Sequence, residues 1–166
     1  MATAANSHES RLKRLGIELP KAPKPLGVYE ETVLSSNVLY ITATIPTLNG
    51  KPQYEGRIGE NVTVEDGYAA ARLSTLNALA AARAHLGSLD LVTKVLKTGV
   101  YLVATDAFTK QFPKIADGAS ELLHDVFGEA GLSVRRVMGL ANLPVGVPVM
   151  VELLLEVKSG TAASDL

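Results

Sequence analysis

Arg135 and Arg136 stand side by side in a segment whose neighbours predict a strand, so their side chains leave opposite faces and at most one serves a given pocket. An arginine there suits a planar carboxylate, which it can hold through two parallel N–H···O bonds that lysine cannot copy. The competing reading is an edge-strand charge, or an ion pair with Glu152 or Glu156. Tyr29, just after Gly27-Val28 and ahead of the first strand region, either lines a cleft or closes the core. Asn77 falls inside a predicted helix among Leu73, Leu76 and Ala80. If it is buried there its amide must be paired, and a bond to a neighbouring loop explains it better than catalysis does.

Several chemistries are excluded. The chain has no cysteine, which removes disulfides, zinc–cysteine clusters, iron–sulfur centres and cysteine nucleophiles. Its 3 histidines, His8, His85 and His124, are not at metal-ligand spacing, so they read as surface or packing residues and no metal is expected. Gly56-Arg57-Ile58-Gly59 fits neither phosphate-binding glycine pattern and reads as a turn. With 16 basic and 17 acidic residues the net charge is −1, so a bulk electrostatic footprint for nucleic acid is missing. Residues 1 to 14 lack the apolar stretch of a signal peptide and no apolar run reaches the roughly 20 residues of a bilayer crossing. A cytoplasmic protein is expected, with no membrane partner.

The elements that must position these residues can be read from pattern. At 166 residues and 47% hydrophobic, the chain is long enough for one core without cross-links. Residues 1 to 10 and 159 to 166 are expected to be disordered tails around a domain over 11 to 158. Arg11 to Leu19 reads as a short helix stopped by Pro20, and Asn37 to Ile45 as a strand followed by a hairpin at Asn49-Gly50. Thr63-Val64-Glu65-Asp66 has the pattern of a capping box, opening a helix that runs to Leu86 and stops at Gly87. Val95 to Val103 predicts a strand. Pro113 then opens a second amphipathic helix ending at Gly128. Val134 to Ala141 and Val149 to Val157 predict two more strands, expected to pair as a hairpin across a breaker-rich loop. This order gives an α+β sandwich, one sheet with two helices on one face. The last strand carries apolar residues on its second face too, so oligomerisation is expected to cover that side.

These residues also carry a resemblance. Leu19-Pro20, Gly27-Val28-Tyr29, Ser36-Asn37-Val38-Leu39-Tyr40 through Ile45-Pro46, Gly56-Arg57-Ile58-Gly59, Leu76-Asn77-Ala78-Leu79, and Leu143-Pro144 with Gly146 and Pro148-Val149 resemble the YjgF/RidA family over roughly residues 9 to 158. The segments Gly118-Ala119-Ser120-Glu121-Leu122-Leu123 and Val126-Phe127-Gly128-Glu129-Ala130-Gly131 are similar to its longer YjgF-like subgroup, often labelled endoribonuclease L-PSP. The resemblance implies a chorismate-mutase-like single domain and a homotrimer whose sheets line a central barrel, with clefts at the subunit interfaces. It also implies cofactor-free hydrolysis of enamine or imine carboxylates to 2-keto acids and ammonia. By the same resemblance Arg135, counted back from Leu143-Pro144, matches the arginine that binds the substrate carboxylate, and Tyr29 matches the cleft tyrosine.

The departures from the family pattern bear on mechanism. Met150 stands where deaminating members have a glutamate, and a thioether neither takes nor gives a proton. Asp117 stands where the subgroup shows asparagine, Ser133 where it shows histidine, and Ala43 where a glycine backbone approaches the ligand. The expected site is therefore Asp117 and Tyr29 for proton handling, with Arg135, Tyr29, Ala43, Ser133 and Met150 around the substrate. Two readings follow: an enamine/imine deaminase-like hydrolase with a divergent site, or a small-carboxylate-binding trimer without hydrolysis. A ribonuclease ranks last, given the neutral charge and the lack of matched His pairs or His/Lys pairs.

Overall fold

The computed structural model describes residues 7–161. Helix α1 spans His8–Arg14, followed by strands β1 (Thr32–Ser35), β2 (Val38–Thr44), β3 (Thr47–Leu48) and β4 (Lys51–Pro52). Helix α2 covers Val64–Leu86, β5 Val92–Leu102, α3 Phe112–Phe127, β6 Val134–Gly139 and β7 Val149–Val157. Five strands form one mixed sheet in the order β1-β2-β7-β5-β6, in which β5 and β6 are parallel and the other pairs antiparallel. β3 and β4 form a separate hairpin through Asn49-Gly50, both at positive φ, as a tight hairpin turn requires.

Three expectations change. Residues 8 to 10, expected in a tail, belong to α1, which begins at His8 because the Ser7 hydroxyl caps the Ser10 N–H. The start is also tied down by tertiary bonds: the Glu9 carboxylate accepts from Leu89 N–H at 2.9 Å, and His8 bonds Val92 O at 3.1 Å with its ring edge-on to Phe127. The remainder of the first expected tail, residues 1–6, and residues 162–166 of the second lie outside the described residues. β1 is a strand that its short sequence does not announce.

The third change is topological. β6 and β7 do not form a hairpin, because β5 lies between them and pairs with both. The distribution of apolar side chains accounts for this. Val149, Val151, Leu153, Leu155 and Val157 of β7 are all buried, so β7 takes a central place between β2 and β5. β6 is exposed along most of its length and suits an edge. A right-handed crossover through α3 is the usual way to bring such a strand in parallel to its predecessor.

The helices cover one face of the sheet. The α2 capping box forms as expected: Asp66 N–H donates to Thr63 Oγ1 at 3.0 Å, and Thr63 N–H to Asp66 Oδ2 at 3.3 Å. Thr63→Ala is expected to lower stability by about 1 kcal/mol, with Thr63→Ser retaining most of it, in urea unfolding at unchanged m-value. α2 ends at Gly87, whose φ of 80° is a left-handed cap. α2 and α3 approach closely at Gly118, where a Cβ would overlap the Tyr68 carbonyl oxygen. Buried alanines of α2, among them Ala70, Ala71, Ala78 and Ala82, allow this layer to sit close to the sheet.

Among the described residues no element covers the other face of the sheet. Val33, Tyr40, Val134 and Met138 are exposed on it or at its edge. Its centre holds a polar cluster in which Lys97 Nζ lies 2.6 Å from Glu152 Oε1. Burial pushes the Glu152 carboxyl up, but hydrogen bonds from Lys97 and Tyr101 and the charges of Lys97 and Arg136 outweigh it and hold the group below its ordinary value.

Candidate functional site

The end of β2 is fastened to α2. Thr44 Oγ1 donates to Ser74 O at 2.7 Å, and the buried Asn77 amide donates to Thr47 O at 2.8 Å, Leu73 O at 3.1 Å and Ile45 O at 3.3 Å. Asn77 is thus a structural group that holds the turn into β3. Register slips between Ile41 and Thr44 against β7, leaving Thr42 and Ala43 in a bulge that locally redirects the strand.

A cavity of about 790 Å³ opens beside this bulge. The segment Lys21 to Tyr29 forms one wall, the β3–β4 hairpin another, and Pro144-Val145 a third. Tyr29, Glu31, Ala43 and Met150 all line it. The Tyr29 phenol accepts from Leu26 N–H at 3.1 Å and donates to Glu31 Oε1 at 3.4 Å. Burial raises the Glu31 carboxyl above its ordinary value, opposed by the Tyr29 hydrogen bond. Val145, a β-branched residue, sits at φ 51°, a strained conformation of the kind that concentrates at ligand sites. Arg57 fixes the loop behind it, donating from Nη1 to Ala104 O at 3.1 Å and from Nη2 to Ala141 O at 2.8 Å. The glycine-containing segment around Arg57 is therefore the expected turn, with the arginine as a clamp.

Arg135, Asp117 and Ser133 do not line this cavity. Arg135, on edge strand β6, donates from Nη1 to Asp117 Oδ1 at 2.7 Å and to Ser120 Oγ at 3.1 Å, both on α3. The competing reading allows an edge-strand charge or an ion pair with Glu152 or Glu156; Arg135 is on an edge strand and its ion pair is with Asp117, because it points to the helix side of β6. No other hydrogen bond of the guanidinium is present among the described residues, so Nε and Nη2 form an open edge of two donors. Ser133 Oγ lies 2.8 Å from Oγ1 of the buried Thr98, an interaction that ties the start of β6 to β5. Within one chain, the site residues thus fall into two groups: Tyr29, Ala43 and Met150 at the cavity, Arg135 with Asp117 at the sheet edge.

The model of the family described as "YjgF/chorismate mutase-like, putative endoribonuclease" matches residues 9–157. The chain belongs to this family. The similarity to individual relatives spans nearly their whole length. Protein TCP17 of Trypanosoma cruzi is 37% identical over 151 residues, 90% of this chain and 94% of that protein. A crystal structure from Shewanella oneidensis, described as a putative endoribonuclease, is 36% identical with a TM-score of 0.88, covering 92% of this chain and 100% of that one. A protein of unknown function from Agrobacterium tumefaciens is 32% identical with a TM-score of 0.83, over 93% of this chain and 95% of its own.

Among the described residues no group of His, Asp and Glu side chains gathers to hold a metal ion, and no helix is long and apolar enough to cross a membrane. Glu31, the one carboxylate among the described residues lining the cavity, is not among the residues expected from the sequence, nor are Lys21 and Lys24. A signal was present: in an extended lead-in to β1, Tyr29, Glu31 and Val33 alternate onto one face.

Proposed function

We propose that the protein hydrolyses small enamine or imine carboxylates to 2-keto acids and ammonia, acting in the cytoplasm as a homotrimer. The observation that carries this reading is the open Nε/Nη2 edge of Arg135, a fork matched to a carboxylate and already oriented by Asp117. Asp117 is then a positioning residue for the guanidinium, and Tyr29 lies in the cavity where the reacting carbon would sit. Since the two groups of site residues are apart in one chain, the cleft is completed when the β6 edge of one copy meets the cavity of the next. The uncovered sheet face, with Tyr40 and Val134 exposed, supports such an assembly.

Met150 favours a second reading, a trimer that binds carboxylates without turnover, because the thioether cannot activate water. The two readings part on one assay: release of ammonia and keto acid from freshly generated 2-aminoacrylate and 2-aminocrotonate, alongside the solution mass. Acceleration over the buffer rate by a species three times 17.5 kDa is expected. A trimer that binds 2-oxobutyrate yet leaves the buffer rate unchanged would establish the binding-only reading instead. Ribonuclease activity remains the third choice, since neutral charge gives little attraction for a phosphate backbone.

A further inference from the structure

Hydrolysis requires a group that takes a proton from water and returns it to nitrogen, and Met150 leaves that role empty. We propose that Glu31 fills it, a carboxylate on the lead-in to β1 that lines the same cavity as Met150. This inference rests on the hydrolytic reading and names its acid/base residue.

The sheet geometry places the two positions over one site. Glu31 O accepts from Thr42 N–H at 2.9 Å, so the backbone at Glu31 extends the β1–β2 ladder by one step. In β1 the side chains of Thr32 and Leu34 turn toward the helices, Thr32 bonding His85 on α2 at 2.9 Å and Leu34 packing on the core. Glu31 and Val33 therefore turn to the uncovered face. In β7, Val149 and Val151 are buried under the helices, which turns Met150 to that same uncovered face. Only β2 separates the two strands, roughly 10 Å across the sheet; along β2 Glu31 lies opposite Thr42 and Met150 beside Ile45, on either side of the bulge, and both line the one cavity.

The chemistry of the cavity points the same way. Among the described residues lining it, Glu31 is the one carboxylate, and histidine is not represented. The nearby Glu152 carboxylate is held by Lys97 and Tyr101, and Asp117 is held by Arg135. The charged and titratable groups sharing the cavity with Glu31 are Lys21, Lys24 and Tyr29. Partial burial makes the Glu31 carboxyl a better base than an exposed glutamate, and the Tyr29 phenol holds it in place.

The step balances without a co-reactant. Solvent protonates the enamine carbon, giving the iminium. The Glu31 carboxylate takes one proton from water as the water oxygen bonds to the iminium carbon, and the C=N π pair moves to nitrogen. The Glu31 carboxyl then gives that proton to nitrogen. The C–N bond breaks with its pair leaving on ammonia as the hydroxyl loses a proton and C=O forms. One proton enters and one leaves, so enamine and water become keto acid and ammonia.

The test compares the native chain with Glu31→Gln, Glu31→Asp and the double variant Glu31→Gln/Met150→Glu, on 2-aminocrotonate across pH. Glu31→Gln is expected to lose about 100-fold or more in kcat, with KM changed far less, and to lose the acid limb of the profile. In the native chain that limb reflects the basic form of Glu31, so the rate falls as pH drops through its raised pKa. Glu31→Asp is expected to fall between, and Met150→Glu in the Glu31→Gln background to recover at least tenfold. Unchanged 2-oxobutyrate affinity and thermal midpoint in Glu31→Gln would separate chemistry from folding. An active native chain whose Glu31→Gln variant keeps its rate within threefold and its acid limb overturns this assignment alone. A native chain that does not accelerate hydrolysis overturns the hydrolytic reading and this assignment together.

Discussion

Arg135→Ala is expected to reduce kcat/KM on 2-aminoacrylate and 2-aminocrotonate by about 10³-fold while leaving the thermal midpoint within a few degrees. Under the proposed role, the functional loss follows from removing a charged, two-donor contact to the substrate carboxylate; hydrogen bonds between charged groups are worth about 1.5–3 kcal/mol apiece, and two would act together. The small structural effect follows from exposure. The Arg135–Asp117 pair has side chains 28% and 45% exposed, so solvent screens it and its loss costs about 1 kcal/mol or less. Arg135→Lys sharpens the point: it keeps the charge and can still meet Asp117, but it has no fork, and at least a tenfold loss should remain. Steady-state kinetics with calorimetry on the same preparations checks both halves. A variant as active as the native chain would dissociate Arg135 from substrate and leave it as a partner of α3.

Gly118→Ala should destabilise the fold by about 3 kcal/mol, a large share of the 5–15 kcal/mol that holds a typical domain together. Two effects oppose each other. In an exposed helix interior this change would stabilise by about 1 kcal/mol, because alanine is the better helix former. At Gly118 the added methyl would overlap the Tyr68 carbonyl oxygen and press on Arg72 N, which are backbone atoms of α2 and cannot rotate away. Relief requires the two helices to separate over their buried contact, so the steric cost dominates. Urea unfolding measures it. A change below 0.5 kcal/mol would show that α2 and α3 have room to shift.

Local signals were legible where a single segment carries them. The Thr63–Asp66 box, the Gly87 stop and the Pro113 start each depend on residues within one or two turns, and α2 and α3 follow closely. β7 was recognisable from strict alternation. Its neighbours were not, since adjacency in sequence favours pairing with β6, whereas the centre of the sheet is decided by which strand has most apolar surface to bury. β1 escaped notice because four residues are too few to establish a period. At the site, Arg135 could be singled out by type, yet its partner could not: Asp117 and Ser120 lie one turn apart on α3 and meet Arg135 only through the crossover. Met150 and Ala43 came from comparison with a family pattern, and both line the cavity.

The position of β7 has a consequence for how the molecule comes into being. The strand that joins β2 to β5 emerges from the ribosome after both of them, and it supplies five of the buried side chains that close the interior. Until it arrives, β2 and β5 each present an open ladder of N–H and C=O groups, and the α2–α3 layer has an incomplete floor beneath it. A nascent chain at that stage is vulnerable to strand pairing with another copy, the hazard of unpaired sheet edges. Completion then proceeds by insertion of the late strand between two waiting partners, a non-local event with a substantial loop-closure cost, so slow folding relative to a helical bundle of the same size is built into the topology.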